Sequence, residues 1–217
     1  MRGPIPMLAL LLATLPALAA APDDAAALRA ATREFVAAIG ESAAIVEADP
    51  YYAGDLGRAA GAAYLTHMLL RTLEAQLGQD ADFPLFRLVD YRTREGGDNP
   101  DQRYLVAPLR GGADYRIWGT RGGSRRLEFQ VYAGLPWSAQ GGRTVAVLDS
   151  ESLHCAPDGS FELNLGPEPR SGNWLRNPPD GSMVMVRQVF GDWQRERPGE
   201  IHIDRVGYEG ALKPPAD

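Results

Sequence analysis

The segment Glu200-Ile201-His202-Ile203-Asp204-Arg205 alternates apolar and polar residues. As a strand it sends Ile201 and Ile203 to one face and His202 and Asp204 to the other. Such a His/Asp pair either orients an imidazole for acid–base work or is the wet side of a sheet. In Met183-Val184-Met185-Val186-Arg187-Gln188-Val189-Phe190 both faces are largely apolar, which predicts a central strand with either Arg187 or Gln188 pointing inward. A buried guanidinium needs a carboxylate partner. Asp192 and Asp101 are candidates for a structural ion pair, the other use of the arginine being an anion site. Arg187 and Asn173 could polarise an oxyanion while Asp101 or His202 moves a proton. That makes Asp101, Arg187 and His202 the catalytic candidates. Tyr104, Tyr115, Trp118, Trp174 and Trp193 recur near these positions, and rings with arginines between them either wall a site for a planar or sugar-like ligand or fill the core. The expected ligand-binding set is Asn99, Asp101, Tyr104, Arg116, Trp118, Asn173 and Trp174.

Other chemistries lack their residues. Lys213 is the single lysine and sits beside two prolines near the C-terminus, so Schiff-base and Ser–Lys chemistry have no candidate in the core. The chain has no GxxxxGK[ST], GxGxxG, GxSxG or HExxH segment and no paired CxxC. His67, His154 and His202 are far apart, and no metal or other cofactor is expected. A formal charge of −6 argues against a general nucleic-acid binder and against polybasic attachment to anionic lipid.

These residues need a scaffold, and 217 residues with 45% hydrophobic and 23% charged content suffice for one medium domain and an appendage. Residues 1–19 read as a secretory signal peptide: Arg2, a short apolar run from Met7 to Leu18, then small residues to Ala21. Cleavage after Ala19 would leave a periplasmic or secreted product with no stable membrane insertion. Cys155, the lone cysteine, excludes an intramolecular disulfide and is expected to be a buried small hydrophobe.

Residues 20–80 predict a helical hairpin. Leu28, Thr32, Phe35, Ile39, Ala43 and Val46 recur at helical spacing before Asp49-Pro50 ends the run. Leu65, Met68, Leu69, Thr72 and Leu73 line a second helix over about 55–76, with Gly78 as its stop and Gly54, Gly57 and Gly61 permitting close packing at its front. Residues 81–210 change to short alternating runs at 85–91, 103–109, 114–120, 126–133, 144–149, 160–165, 183–190 and 200–206, separated by dense Gly, Pro, Asn and Asp turns. The fold class is therefore mostly β or α+β: a helical hairpin packed on a jelly-roll-like antiparallel β-sandwich of about eight strands, with residues 211–217 a flexible tail.

Two groups of residues carry a family resemblance. The first is Asp98-Asn99-Pro100-Asp101, leading through Tyr104 to Tyr115-Arg116-Ile117-Trp118-Gly119. The second is Asp158-Gly159-Ser160-Phe161, Gly172-Asn173-Trp174-Leu175, Arg187, Asp192-Trp193 and Ile201-His202-Ile203-Asp204-Arg205. Over about residues 95–207 this order resembles the family of domain of unknown function 1214, often found behind a companion domain numbered 1254. The resemblance implies a jelly-roll-like sandwich and brings no established reaction; two helices stand here where the companion would lie.

Three uses compete. The first is an exported module binding a small polar-aromatic or saccharide-like molecule on a sheet face. The second is a metal-independent hydrolase, isomerase or lyase using Asp101, Arg187 and His202, which requires those tips to converge on one cavity. The third is an envelope interaction or scaffold protein that presents an apolar patch. The first and second both expect the Asn-Pro-Asp and Gly-Asn-Trp corners to share a rim. Oligomeric state is not legible at this level.

Overall fold

A computed structural model describes residues 24–77, 79–93, 99–134 and 141–210. The expected signal peptide, the helix stop at Gly78 and the tail at 211–217 lie outside the described residues. Helix α1 (Asp24–Ala48) and helix α2 (Gly54–Leu77) form the hairpin, joined by a single 3₁₀ turn at Pro50–Tyr52. Asp49 stops α1 as its spacing predicts, its carboxylate accepting the Tyr51 backbone N–H at 2.9 Å. Two of the three glycines at the front of α2 permit close approach: a Cβ on Gly57 would lie 2.6 Å from the Tyr52 carbonyl carbon, and one on Gly61 2.6 Å from Val46, whereas Gly54, at φ +75, has open space around it and serves the turn into the helix.

Nine strands follow among the described residues: β1 (Arg87–Val89), β2 (Gln102–Pro108), β3 (Tyr115–Thr120), β4 (Arg126–Ala133), β5 (Arg143–Asp149), β6 (Ser160–Gly166), β7 (Asn173–Arg176), β8 (Gly181–Val189) and β9 (Ile201–Arg205). They make a five-stranded sheet in the order β1-β2-β8-β4-β5 and a four-stranded sheet in the order β7-β6-β3-β9. Neighbours are antiparallel except β6 and β7. The two sheets stack face to face on one core. Leu105, Leu127, Phe129, Val131, Val184 and Val186 come from the larger sheet. Tyr115, Ile117, Phe161, Leu163, Ile201 and Ile203 come from the smaller one. Phe129 and Phe161 meet edge to face across the middle, ring centroids 5.6 Å apart. The protein is thus an α+β sandwich with its helices at the N-terminus, the class its residue pattern predicts.

The strand missed by pattern alone is β7. It is four residues long, and its two inward residues are Asn173 and Leu175, so it shows no clean apolar alternation. Cys155 also differs from expectation. It is exposed in the β5–β6 connection, where Leu153, two residues earlier, is the side chain that enters the core.

Below the sandwich, at the end where β3 begins, the segment before β1 is tied down. The Tyr115 hydroxyl donates to the Ala81 carbonyl at 2.9 Å and accepts the Arg110 backbone N–H at 2.7 Å. Arg110 binds Asp82 through Nε at 3.1 Å and Nη2 at 2.6 Å. Those hydrogen bonds, with Arg205 nearby, hold the Asp82 carboxyl below the usual carboxylate range. Burial pushes the Tyr115 phenol up. The same end is closed by Asn177, fully buried, whose amide donates to the Arg110 and Ala113 carbonyls at 3.0 and 2.8 Å.

Candidate functional site

Strand register decides which candidates can meet. In β8, Val184, Val186 and Gln188 point into the core, so Arg187 points out from the larger sheet. Gln188 is the inward member of the expected pair. Its amide donates to the Gly199 carbonyl at 3.2 Å, and its oxygen accepts from Arg103 at 3.4 Å. Arg187 forms the expected structural ion pair, with a different carboxylate. Its partner is Glu128 on the neighbouring β4, at 3.3 Å, and neither Asp192 nor Asp101. Arg187 also donates to Gln130 and, at 3.1 Å, to the Tyr132 hydroxyl, and lies over the Tyr104 ring. With Nη1 and Nη2 both engaged, this cluster braces the outer face of β4 and β8.

His202 stands on the opposite side of the molecule. Ile201 and Ile203 enter the core, so His202 and Asp204 emerge from the outer face of the smaller sheet. Arg187 and His202 therefore project away from each other with both sheets between them. Asp101 belongs to neither place. It is exposed in the turn before β2, where Asn99 caps it by accepting its backbone N–H at 2.9 Å. The catalytic trio expected from residue types does not converge, because alternation along β8 and β9 sends its members out of different sheets.

Asn173 is structural as well. It is buried, accepts the His154 backbone N–H at 2.8 Å, and donates to the carbonyls of His154 and Glu162 at 2.8 and 2.9 Å. Its amide holds the β5–β6 connection and β6 to the start of β7. The Asn-Pro-Asp and Gly-Asn-Trp corners do lie at one end of the sandwich, since β2 and β7 both start there. They stand on opposite flanks, however. β8 and β4 separate β2 from β5, which runs beside β7, so the corners are at least about 14 Å apart, three strand spacings. Tyr115 lies in the core, and Trp193 stacks on Phe190 at 4.0 Å. The expected aromatic cluster is thereby dispersed.

What remains together is the outer face of the smaller sheet. Register aligns Trp174, Asn164, Arg116 and Asp204 in one row across β7, β6, β3 and β9. It aligns Glu162, Trp118 and His202 in the next row. Arg116, Trp118, Trp174 and His202 are thus the candidates the fold unites. The Trp118 ring stacks on the His202 imidazole with centroids 4.4 Å apart and planes 24° from parallel. Arg116 lies 5.4 Å from the Trp118 centroid, and the indole Nε1 donates to Asp204 at 2.6 Å. Arg116 in turn grips Glu162 through Nε at 2.8 Å and Nη2 at 2.7 Å. Arg116, Glu162, His202 and Asp204 are all exposed, so their mutual attraction is modest and the ladder stays open to solvent. Sequence reasoning named Asp204 only as a neighbour of His202 and missed Glu162 and Asn164. The alternation Phe161-Glu162-Leu163-Asn164-Leu165 was the available signal.

This face is a platform that carries Trp118, Trp174 and His202 among the cations Arg116 and Arg176 and the carboxylates Glu162 and Asp204. At the Asp204 edge this face borders a concavity of about 430 Å³ lined also by Asp82, Phe83 and Tyr208; further concave space lies away from it. One cleft of about 190 Å³ separates α2 from the larger sheet, where burial, with Arg87 beside it, pulls the Arg71 guanidinium down to about 10. Another gap, about 470 Å³, opens between the two helices. Among the described residues no group of three or more His, Cys, Asp or Glu could hold a metal ion, and no helix is long and apolar enough to cross a membrane.

No family model matches the chain, and no curated protein matches it. Among solved structures it is similar to an uncharacterized protein from Burkholderia cenocepacia, at 32% identity and TM-score 0.76. The likeness covers 84% of this chain and 51% of that protein, so the chain spans about half the length of the relative it matches. A protein from Vibrio parahaemolyticus aligns over 69% of this chain and 37% of its own at 15% identity and TM-score 0.34, too low to support any argument.

Proposed function

We propose that this protein is an exported binding module whose ligand, a small saccharide-like or polar-aromatic molecule, lies flat on the outer face of the four-stranded sheet. The observation that supports this is the Trp118 ring, stacked on His202 and flanked by Arg116 on an open face. The half-buried Trp118 indole, with His202 and Arg116 against it, offers the part of its surface left open as an apolar contact for a sugar or aromatic ring at little entropic cost. The surrounding Glu162, Asp204 and Arg116 supply acceptors and donors for hydroxyl or carboxyl groups at the ligand's edge. A platform suits stacking better than catalysis, since acid–base chemistry needs groups that close on a substrate from several directions. Export rests on the leader-like residues 1–19, and the order of motifs over about residues 95–207 supports placing the chain in the domain of unknown function 1214 family.

The test is titration of tryptophan emission with a panel of neutral saccharides, uronic acids and aromatic carboxylates, on the native protein and on Trp118→Ala. At least one compound should quench or shift the native signal. Trp118→Ala should bind that compound about tenfold more weakly, the equivalent of roughly 1.4 kcal/mol. A silent panel, or a variant that binds as tightly as the native chain, would refute the platform.

A further inference from the structure

Four strand ends meet where the chain passes from the smaller sheet to the larger. β3 ends at Thr120, and β4 begins at Arg126 beside Val189, the last residue of β8. β5 ends at Asp149, opposite Glu128 of β4. Among these ends lies a concavity of about 410 Å³, lined by Arg121, Arg125, Arg126, Ser150, Glu151 and Val189. That volume falls within the range of small-molecule sites, about 300–1,000 Å³. Three arginines against one glutamate is a local excess of positive charge on a chain whose formal charge is −6.

Most arginines of the sandwich close on a carboxylate: Arg92 on Asp90, Arg110 on Asp82, Arg143 on Asp180 and Arg170 on Asp114. Arg126 does so too, with Glu128 at 2.9 Å and Asp149 at 3.5 Å. Arg121 and Arg125 differ. Among the described residues neither forms an ion pair or donates a side-chain hydrogen bond, and the Arg121 Nε is buried without an acceptor. Glu196 lies near Arg125 across Gly191 and spends its Oε2 on the Gly191 backbone N–H at 2.7 Å. The link that carries both arginines is nonetheless fixed. The N–H groups of Arg121, Gly123 and Arg125 donate to the carbonyls of Gly159, Arg197 and Val189 at 2.9, 2.8 and 2.9 Å. Gly122, at φ +64, bridges to Pro198, and the buried Ser124 hydroxyl donates to the Arg121 carbonyl at 3.3 Å. A backbone already ordered spares a ligand the cost of ordering it.

We propose that this concavity is a site for a tetrahedral oxyanion, the phosphoryl or sulfuryl group of a small molecule, held by Arg121 and Arg125 with the Ser150 hydroxyl as a third donor. Each guanidinium presents paired N–H groups that match two oxygens. The Ser150 Oγ accepts the Leu127 N–H at 3.4 Å and still has its proton to donate. Donors from the ends of three strands suit an anion with three free oxygens. A carboxylate has two, in one plane, and a single guanidinium saturates it. The site shares no residue with the Trp118 platform and does not depend on it.

Calorimetric titration of the purified chain with inorganic sulfate, inorganic phosphate, phenyl phosphate and acetate tests this, at an ionic strength held constant with chloride. Sulfate and phosphate should bind saturably at one site per chain, and acetate roughly tenfold more weakly. Arg121→Gln combined with Arg125→Gln should lower the affinity for sulfate roughly tenfold or more. Glu151→Gln removes the one carboxylate from the lining and should raise that affinity about threefold, a gain that a misfolded variant cannot mimic. Trp118→Ala should leave it unchanged, which separates this site from the platform. Phenyl phosphate binding more tightly than phosphate supports the site and identifies a group carried on a larger molecule; equal affinity supports it and identifies the free anion. Three results overturn the proposal: no saturable binding over the chloride background, acetate binding as tightly as sulfate, or sulfate affinity indifferent to both the double arginine variant and Glu151→Gln.

Discussion

Replacing Asn173 by alanine separates a structural amide from a ligand contact. The side chain is 8% exposed and makes three neutral hydrogen bonds, two to the His154 peptide groups and one to the Glu162 carbonyl. At roughly 1 kcal/mol for each, the loss is about 3 kcal/mol, and any peptide group left shielded without a partner adds to it. For a domain of this size each kcal/mol lowers the midpoint by roughly 2–4 °C, so the expected fall is about 6–12 °C. Asn173→Asp should cost at least as much, because a carboxylate has no proton to donate and would face two carbonyl oxygens. Urea unfolding followed by tryptophan emission, alongside thermal melts, measures both variants, with Trp174 next in sequence as a local reporter. A shift below about 1 kcal/mol in both variants would refute the tether. If such a silent substitution also weakened binding of a platform ligand, Asn173 would return to the ligand set.

Two further outcomes follow from the geometry. Gly119 has φ +150, and a Cβ there would lie 1.9 Å from the Glu200 carbonyl oxygen, backbone that cannot swing aside. Gly119→Ala should therefore destabilise by about 3 kcal/mol or more, read as a lowered melting midpoint; a midpoint equal to the native one would show that β3 and β9 are not so close. Asp82, its carboxyl held low chiefly by the Arg110 hydrogen bonds, has a folded pKa below its unfolded value. Its stabilisation is present above the ordinary carboxylate value of about 4 and fades as pH falls through the folded value. Asp90 and Asp158 shift in the same direction, through hydrogen bonds from Arg92 and Ser160. Melting midpoints should thus drop on acidification below about pH 4. Asp82→Asn should blunt that drop, and superposable profiles would refute the assignment.

Much of this was legible in the residues because local rules sufficed. Asp49-Pro50 ends α1 since the residue before proline avoids helical backbone. Period-two alternation placed β3, β4, β6 and β9, and it put Ile201 and Ile203 on one face of β9 with His202 and Asp204 on the other. The site was less legible. Tyr104, Trp118 and Trp174 look alike on paper as aromatics beside arginines, yet Tyr104 braces one sheet and the two tryptophans decorate the other. Asn173 looked like a polar group available for chemistry, and burial converted it into a tether. Two sheets assembled from interleaved strands put residues close in sequence onto different layers, and pattern carries no record of which layer a strand joins.

The amino-acid order by itself determined the helical hairpin, the strand-rich remainder and the inward faces of most strands. Tertiary structure alone decided that Arg187 and His202 leave opposite faces, that Glu128 neutralises Arg187, and that Arg116, Trp118, Trp174 and His202 share one surface. The reason is range. Alternation and capping act within a few residues and are fixed by backbone geometry, whereas the neighbour of a strand is chosen by cooperative packing of the whole core.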